Sequence, residues 1–198
     1  MNKLRLRTQL HAMGLAVAIG LGGIALVGCT TTPAGSEASG PSARAAMDRS
    51  VDSTLARLYT TVPGSRELVQ RSAGVLVFPS VVGGSFVVGA DYGRGALREG
   101  GRTTGYYSTT AGSIGFQAGG QSKAVIYVFN TREALDKFKA SKGWTAGADA
   151  TVAVGTVGAN GAIDTQTAQQ PVASFILTNV GLEAGAAVGA AKVSPISL

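Results

Sequence analysis

The stretch Gly74-Val75-Leu76-Val77-Phe78-Pro79 decides the fold class, because every residue between its glycine and its proline is apolar. A strand with one face in water alternates apolar and polar side chains, whereas a continuous apolar run is typical of a strand buried on both faces. We therefore expect a sheet that is covered on both sides at this point.

Segments with the strand pattern follow, at residues 85–92, 94–99, 102–109, 113–119, 123–129, 148–157, 172–178 and 181–190. Gly100-Gly101 predicts a two-residue hairpin turn that pairs Glu99 with Arg102. The chain has 29 glycines among 198 residues, and many lie in these segments, where glycine lets sheets curve and approach closely. We therefore predict a predominantly antiparallel, strongly coiled or barrel-like sheet.

Helical patterns precede and interrupt the strands. Ser42 is expected to cap an N-terminal helix that runs to about Tyr59, with an apolar stripe of Met47, Val51, Leu55 and Leu58. The polar face of that helix has a net charge of only +1, so the stripe favours packing on the core over lying on a membrane. A short helix is expected at residues 65–72.

A further helix is predicted near residues 131–142, and it completes an α+β fold. Asn130 and Glu133 form a pair similar to a capping box, and Gly143 is expected to end the helix. Leu135 and Phe138 are predicted to face the core.

The N-terminal segment has the pattern of an export signal. Lys3, Arg5 and Arg7 precede an apolar run over 10–27. The run ends in Leu26-Val27-Gly28-Cys29, which resembles the lipobox of bacterial lipoproteins and implies cleavage before a Cys29 that carries acyl chains. The alternative is an uncleaved transmembrane helix over residues 12–28.

This interpretation divides the chain into a signal peptide (1–28), a flexible tether (29–41) and a folded domain (42–198). Because Thr30 follows the cysteine, where aspartate commonly retains lipoproteins at the inner membrane, we expect a lipid anchor at the outer membrane. The domain would then face the periplasm or the cell surface. Removing 1–28 removes three cations and no carboxylate, so the net charge falls from +6 to +3. With so little charge left, nucleic-acid binding is not expected.

The residue types that are missing argue against an enzyme. His11 and Cys29 are the only histidine and cysteine, and both precede the folded domain. Ala111-Gly112-Ser113-Ile114-Gly115 is similar to a nucleophile elbow, but Ser113 has no histidine to activate it. Asp91, Asp149 and Asp164 are too scattered for a calcium site. We therefore expect no catalytic residues, no metal and no cofactor.

Two groups of cations are candidates for binding anions. Arg94, Arg98 and Arg102 fall around the predicted hairpin, near Tyr92, Tyr106 and Tyr107. Guanidinium groups bind phosphate bidentately, and tyrosine suits the boundary between water and lipid. Lys137, Lys139 and Lys142 form a second basic patch. The alternative for the arginines is a solvated strand face with a Glu99–Arg102 pair.

Over roughly residues 45–198 the chain resembles the SYLF domain family. The similarity is carried by residues 74–82, 89–97, 105–108, 112–121, 134–138, 143–144 and 147–150. It implies binding of phospholipid, notably phosphoinositides, and in eukaryotic members also actin. The chain differs from the family pattern at Gly83-Gly84, where a lysine is expected.

We therefore expect a membrane-anchored lipoprotein whose SYLF-like domain binds anionic phospholipid with phosphoinositide-like headgroups, without catalysis. The alternative is a structural or assembly module of the bacterial envelope that binds a partner protein.

Overall fold

The computed structural model describes residues 39–85, 88–114, 117–154, 163, 165–179, 181–182 and 191–198. Of these, residues 84–85, 88–89, 113–114, 117–121, 154 and 165–166 are described by their backbone alone. The predicted signal peptide, Cys29 and most of the predicted tether lie outside the described residues. None of the described helices is both long and apolar enough to cross a membrane.

The described chain forms four helices and nine strands. The helices are α1 (Pro41–Thr61), α2 (Ser65–Arg71), α3 (Arg132–Ala140) and α4 (Thr165–Gln169). The strands are β1 (Gly74–Ser85), β2 (Val88–Glu99), β3 (Arg102–Ile114), β4 (Gln117–Phe129), β5 (Trp144–Thr145), β6 (Val152–Val154), β7 (Val172–Thr178), β8 (Gly181–Leu182) and β9 (Lys192–Ile196).

The strands form one sheet in the order β5-β9-β3-β2-β1-β4-β7-β6, with β8 paired to β7. Every described strand pair is antiparallel except β6 with β7. The sheet curls strongly into a half-barrel. The predicted α+β class, with a predominantly antiparallel and strongly coiled sheet, is therefore confirmed.

The sheet has a hydrophobic core on each face. Alternate residues of β1 belong to different cores: Leu76 and Phe78 pack on the α3 side, and Val75 and Val77 pack on the α1 side. Strands β4 and β7 alternate in the same way. This arrangement confirms that the apolar run at the start of β1 is a strand buried on both faces.

Helix α1 packs on one face of the sheet through the predicted stripe. Val51 and Leu58 are fully buried, and Met47 and Leu55 are half-buried against the same core. The predicted Ser42 cap is wrong, because the helix begins at Pro41 after Gly40 and has no side-chain cap. The N–H groups in the first turn of a helix have no acceptor within the helix, so proline, which lacks an N–H, loses no hydrogen bond at the first position.

Several predicted strand boundaries need correction, because an apolar or glycine-rich pattern without a clear turn signal does not show where one strand ends and the next begins. The predicted strands 85–92 and 94–99 are parts of the single strand β2, and the predicted strand 113–119 spans the junction between β3 and β4. Strands β5 and β9 and helix α4 were not predicted. Residues 155–157 and 183–190 of two predicted strands lie outside the described residues.

Helix α3 is capped by a different residue from the one expected. The Thr131 side chain accepts a hydrogen bond of 3.2 Å from the Ala134 N–H, whereas the Asn130 side chain donates to the Gln170 carbonyl at 2.7 Å. The helix ends at Ala140, before the predicted Gly143. The burial of Leu135 and Phe138 is confirmed.

Candidate functional site

The hairpin of β2 and β3 positions most of the predicted anion-binding residues. Gly100 and Gly101 adopt φ values of 55° and 80°, which glycine tolerates and the tight turn requires, and they place Glu99 opposite Arg102 as predicted. Arg94 and Arg98 lie four positions apart on β2, so their side chains are on the same face of the sheet. This is the face that α1 covers, since Arg98 contacts Asp48 and Asp52 of that helix.

Arg98 joins the hairpin to α1. Its guanidinium lies 2.8 Å from a carboxylate oxygen of Asp52 and 3.7 Å from one of Asp48, and it donates to the Asp48 carbonyl at 3.2 Å. The side chain is 12% exposed. Because the Arg98 guanidinium is already paired with carboxylates, this residue links the hairpin to α1 and is not available to bind an added anion.

Tyr106 and Tyr107 do not converge on one site, because neighbouring residues of a strand face opposite sides of the sheet. Tyr106 packs with the core on the α1 side, whereas the Tyr107 ring lies 4.9 Å from the Phe138 ring on the α3 side. Burial is the main cause that raises the pKa of each phenol above its usual value. Both rings therefore serve packing.

The Glu99 carboxylate forms its ion pairs with cations of α3 and not with Arg102. Its carboxylate accepts hydrogen bonds from Lys139 at 2.8 Å, Arg132 at 3.2 Å and Thr104 at 2.8 Å. These contacts, led by the Lys139 hydrogen bond, lower the pKa of Glu99. Within the described residues no Glu99–Arg102 ion pair forms, so the predicted cross-strand pairing holds for the backbone register alone.

The predicted cations thus fall into two groups. Arg98 and Lys139 are neutralised by carboxylates. In the described part of the chain, no carboxylate lies within ion-pair distance of the other four: Arg94, Arg102, Lys137 and Lys142. Arg102, Lys137 and Lys142 are exposed, and Arg94 is half-buried.

A shallow cleft of about 340 Å³ lies beside Arg94 on the α1 face. It is lined by Met47, Ser50, Pro79, Ser80, Val82, Tyr92, Gly93 and Arg94. Val82 is 54% exposed and Tyr92 is 45% exposed, and they are the large exposed hydrophobic residues among those described. The cleft therefore combines exposed apolar surface with one cation that no described carboxylate neutralises.

Part of the chain is similar to a known protein family. Residues 110–196 match the family model described as Ysc84, a Las17-binding protein actin regulator. Over this range the match is consistent with a member of the SYLF domain family. The predicted resemblance is confirmed over this range, and it supports a domain that binds lipid or protein. No curated protein matches the chain.

The SYLF match begins within β3 and ends at the last residue of β9, so it covers only part of the candidate surface. Lys137, Lys139 and Lys142 lie inside the matched range. The three hairpin arginines lie before it: Arg102 is on β3 itself, and Arg94 and Arg98 are on β2, which is hydrogen-bonded to β3.

An ion pair that the sequence did not indicate crosses the sheet. Lys123 on β4 lies 3.0 Å from Asp91 on β2, and Gly83 on the intervening strand β1 stands in register with Asp91. A Cβ at position 83 would lie 1.9 Å from an Asp91 carboxylate oxygen. Glycine at this position therefore makes room for the carboxylate. The glycine pair Gly83-Gly84 in β1 was the available signal.

Asp149 is the other candidate carboxylate whose side chain the structure describes. Asp149 accepts a hydrogen bond of 2.6 Å from the Thr145 N–H and closes a turn. Among the described residues no group of three or more histidine, cysteine, aspartate or glutamate side chains could hold a metal ion. Asp164 and the side chain of Ser113 lie outside the description.

Proposed function

We propose that the chain is a membrane-anchored lipoprotein whose SYLF domain binds anionic phospholipid, with phosphoinositide-like headgroups, and has no catalytic activity. The anchor is lipidated Cys29 at the outer membrane, and the sequence Leu26-Val27-Gly28-Cys29 supports it. The absence of histidine and cysteine from residues 30–198 supports a binding role. The family match supports a domain that binds lipid or protein.

The observation that carries lipid binding is the set of cations left without a carboxylate partner in the described chain: Arg94, Arg102, Lys137 and Lys142. Each basic residue close to an anionic membrane contributes about 1 kcal/mol. A few such residues give weak binding, which an acyl anchor makes effective because it holds the domain close to the lipid.

Vesicle co-sedimentation tests this proposal with a chain that begins at Thr30 and therefore lacks the anchor. We expect it to sediment with vesicles that contain phosphoinositide or another anionic lipid, and not with zwitterionic vesicles. Binding should weaken as salt rises and the Debye length falls below about 8 Å. Failure to sediment with any anionic vesicle would refute lipid binding.

Four variants with the same change in charge locate the surface: Arg94→Gln, Arg102→Gln, Lys137→Gln and Lys142→Gln. Diffuse attraction predicts equal small losses from all four, whereas a built site predicts one dominant loss. Arg98→Gln is the matched structural control. Since Arg98 is already paired with Asp48 and Asp52, we expect that variant to lose stability and to keep its vesicle binding.

Lipidation of Cys29 is tested separately in cells. Radiolabelled palmitate should enter the wild-type chain and should not enter Cys29→Ser. Equal labelling of the two chains would exclude the anchor, and it would leave the binding properties of the domain unaffected.

A partner protein is the second candidate, because the matched family is described as a Las17-binding protein and actin regulator. On that proposal the domain is an assembly module of the envelope. The co-sedimentation experiment separates the two functions, since a protein-binding module would not distinguish anionic from zwitterionic vesicles.

A further inference from the structure

The cleft beside Arg94 brings one cation next to a short apolar row. Val82 on β1 and Tyr92 on β2 are in register, and two positions along the strands Ser80 is in register with Arg94. Met47 and Ser50 of α1 form the opposite wall. The cleft thus lies where the helix meets the sheet.

The chemistry of the lining suits an anionic amphiphile. Among the described residues, no carboxylate lines the cleft and none forms an ion pair with Arg94. A guanidinium donates two parallel hydrogen bonds to a phosphate, and burial of the exposed Val82 side chain away from water is favourable. Tyrosine rings are enriched at membrane interfaces, which suits the exposed part of Tyr92.

We propose that this cleft is the membrane-docking site of the domain, with Arg94 on the phosphate of an anionic phospholipid and Val82 and Met47 against the upper part of its acyl chains. The inference rests on the proposed lipid binding and names its site. A free phosphate would engage Arg94 alone and leave the apolar wall unused.

The position of the cleft along the chain agrees with an anchor at Cys29. Met47 is six residues from the start of α1, or about 9 Å along the helix axis. Cys29 precedes Pro41 by 12 residues, which span at most about 40 Å in any conformation. An anchored chain therefore allows the cleft to reach the bilayer.

Depth-dependent fluorescence quenching tests the site in the full chain reconstituted into vesicles with brominated acyl chains. The native Trp144 is 1% exposed and gives a constant background. In Val82→Trp the added indole should be quenched in vesicles that contain phosphatidylinositol phosphate and much less in phosphatidylcholine alone. Val82 is exposed, so we expect the variant to fold. Its thermal melt, followed by circular dichroism, should match that of the wild type.

Matched variants identify the docking face. Ala140→Trp places an indole at an exposed position of α3, beside the second basic patch, and should stay unquenched. Adding Arg94→Gln to Val82→Trp should lower the ratio of docked to undocked domain about fivefold, whereas Arg102→Gln should change it little.

The outcomes separate this inference from the proposed function. If the chain that begins at Thr30 sediments with anionic vesicles but Val82→Trp stays unquenched, lipid binding stands and the cleft is refuted. Quenching of Ala140→Trp alone, or equal quenching in both lipids, also refutes it. If the shorter chain does not sediment at all, the proposed function fails as well.

Discussion

Replacing Gly83 with alanine tests how the sheet accommodates its internal ion pair. The new methyl group would lie 1.9 Å from a carboxylate oxygen of Asp91 and 2.8 Å from its Cγ. These separations are far below contact distance, so the short Asp91 side chain must rotate away. Rotation removes the carboxylate from Lys123, which it meets at 3.0 Å. The substitution therefore breaks an ion pair without replacing either charged residue.

The burial of the two partners sets the expected magnitude. The Asp91 side chain is 9% exposed and that of Lys123 is 33% exposed. Breaking a fully buried ion pair costs about 3–5 kcal/mol, and an exposed pair is worth about 0–1 kcal/mol. For this half-buried pair we expect Gly83→Ala to lower the free energy of unfolding by about 2 kcal/mol.

Urea denaturation of the chain that begins at Thr30, followed by circular dichroism, measures this loss. In an Asp91→Ala background the clash is absent, so Gly83→Ala should cost close to nothing, and the coupling energy should be about 2 kcal/mol. Gly112→Ala is the matched control on strand β3, because its added Cβ meets no atom within 4 Å. The reasoning is refuted if Gly83→Ala costs no more than Gly112→Ala, or costs the same with and without Asp91.

Two further substitutions test the charges and polar groups of the sheet. Contacts led by the Lys139 hydrogen bond lower the pKa of Glu99 from its ordinary 4.5. The ionised carboxylate therefore contributes its full stabilisation at pH values above the pKa of the unfolded state. This contribution is lost as the pH falls through the lower pKa of the folded state. Glu99→Gln should therefore reduce stability at neutral pH and make the acid side of the stability curve less steep; an unchanged curve would contradict the network. The Tyr127 hydroxyl is buried without a hydrogen-bond partner among the described residues, and burial raises its pKa. Tyr127→Phe should therefore raise the free energy of unfolding by about 1 kcal/mol in the same urea assay, and a loss of stability would reveal a partner.

The sequence determined the local features of the fold, because local patterns reflect local physics. A continuous apolar run in β1 predicts burial on both faces, and four apolar residues at helical spacing predict the buried side of α1. The glycine pair at 100–101 determines a hairpin turn, since two successive positive φ angles are tolerated best by glycine.

Tertiary structure alone decided which charged side chains of the candidate site are paired. Arg94, Arg98 and Lys139 look alike in the sequence, but carboxylates 46 and 40 residues away pair with Arg98 and Lys139. Asp91 and Lys123 are joined only because β1 lies between β2 and β4 and carries a glycine at the crossing. A side chain's charge is set by its sequence, whereas its availability to a ligand depends on which distant groups the folded sheet brings within ion-pair distance.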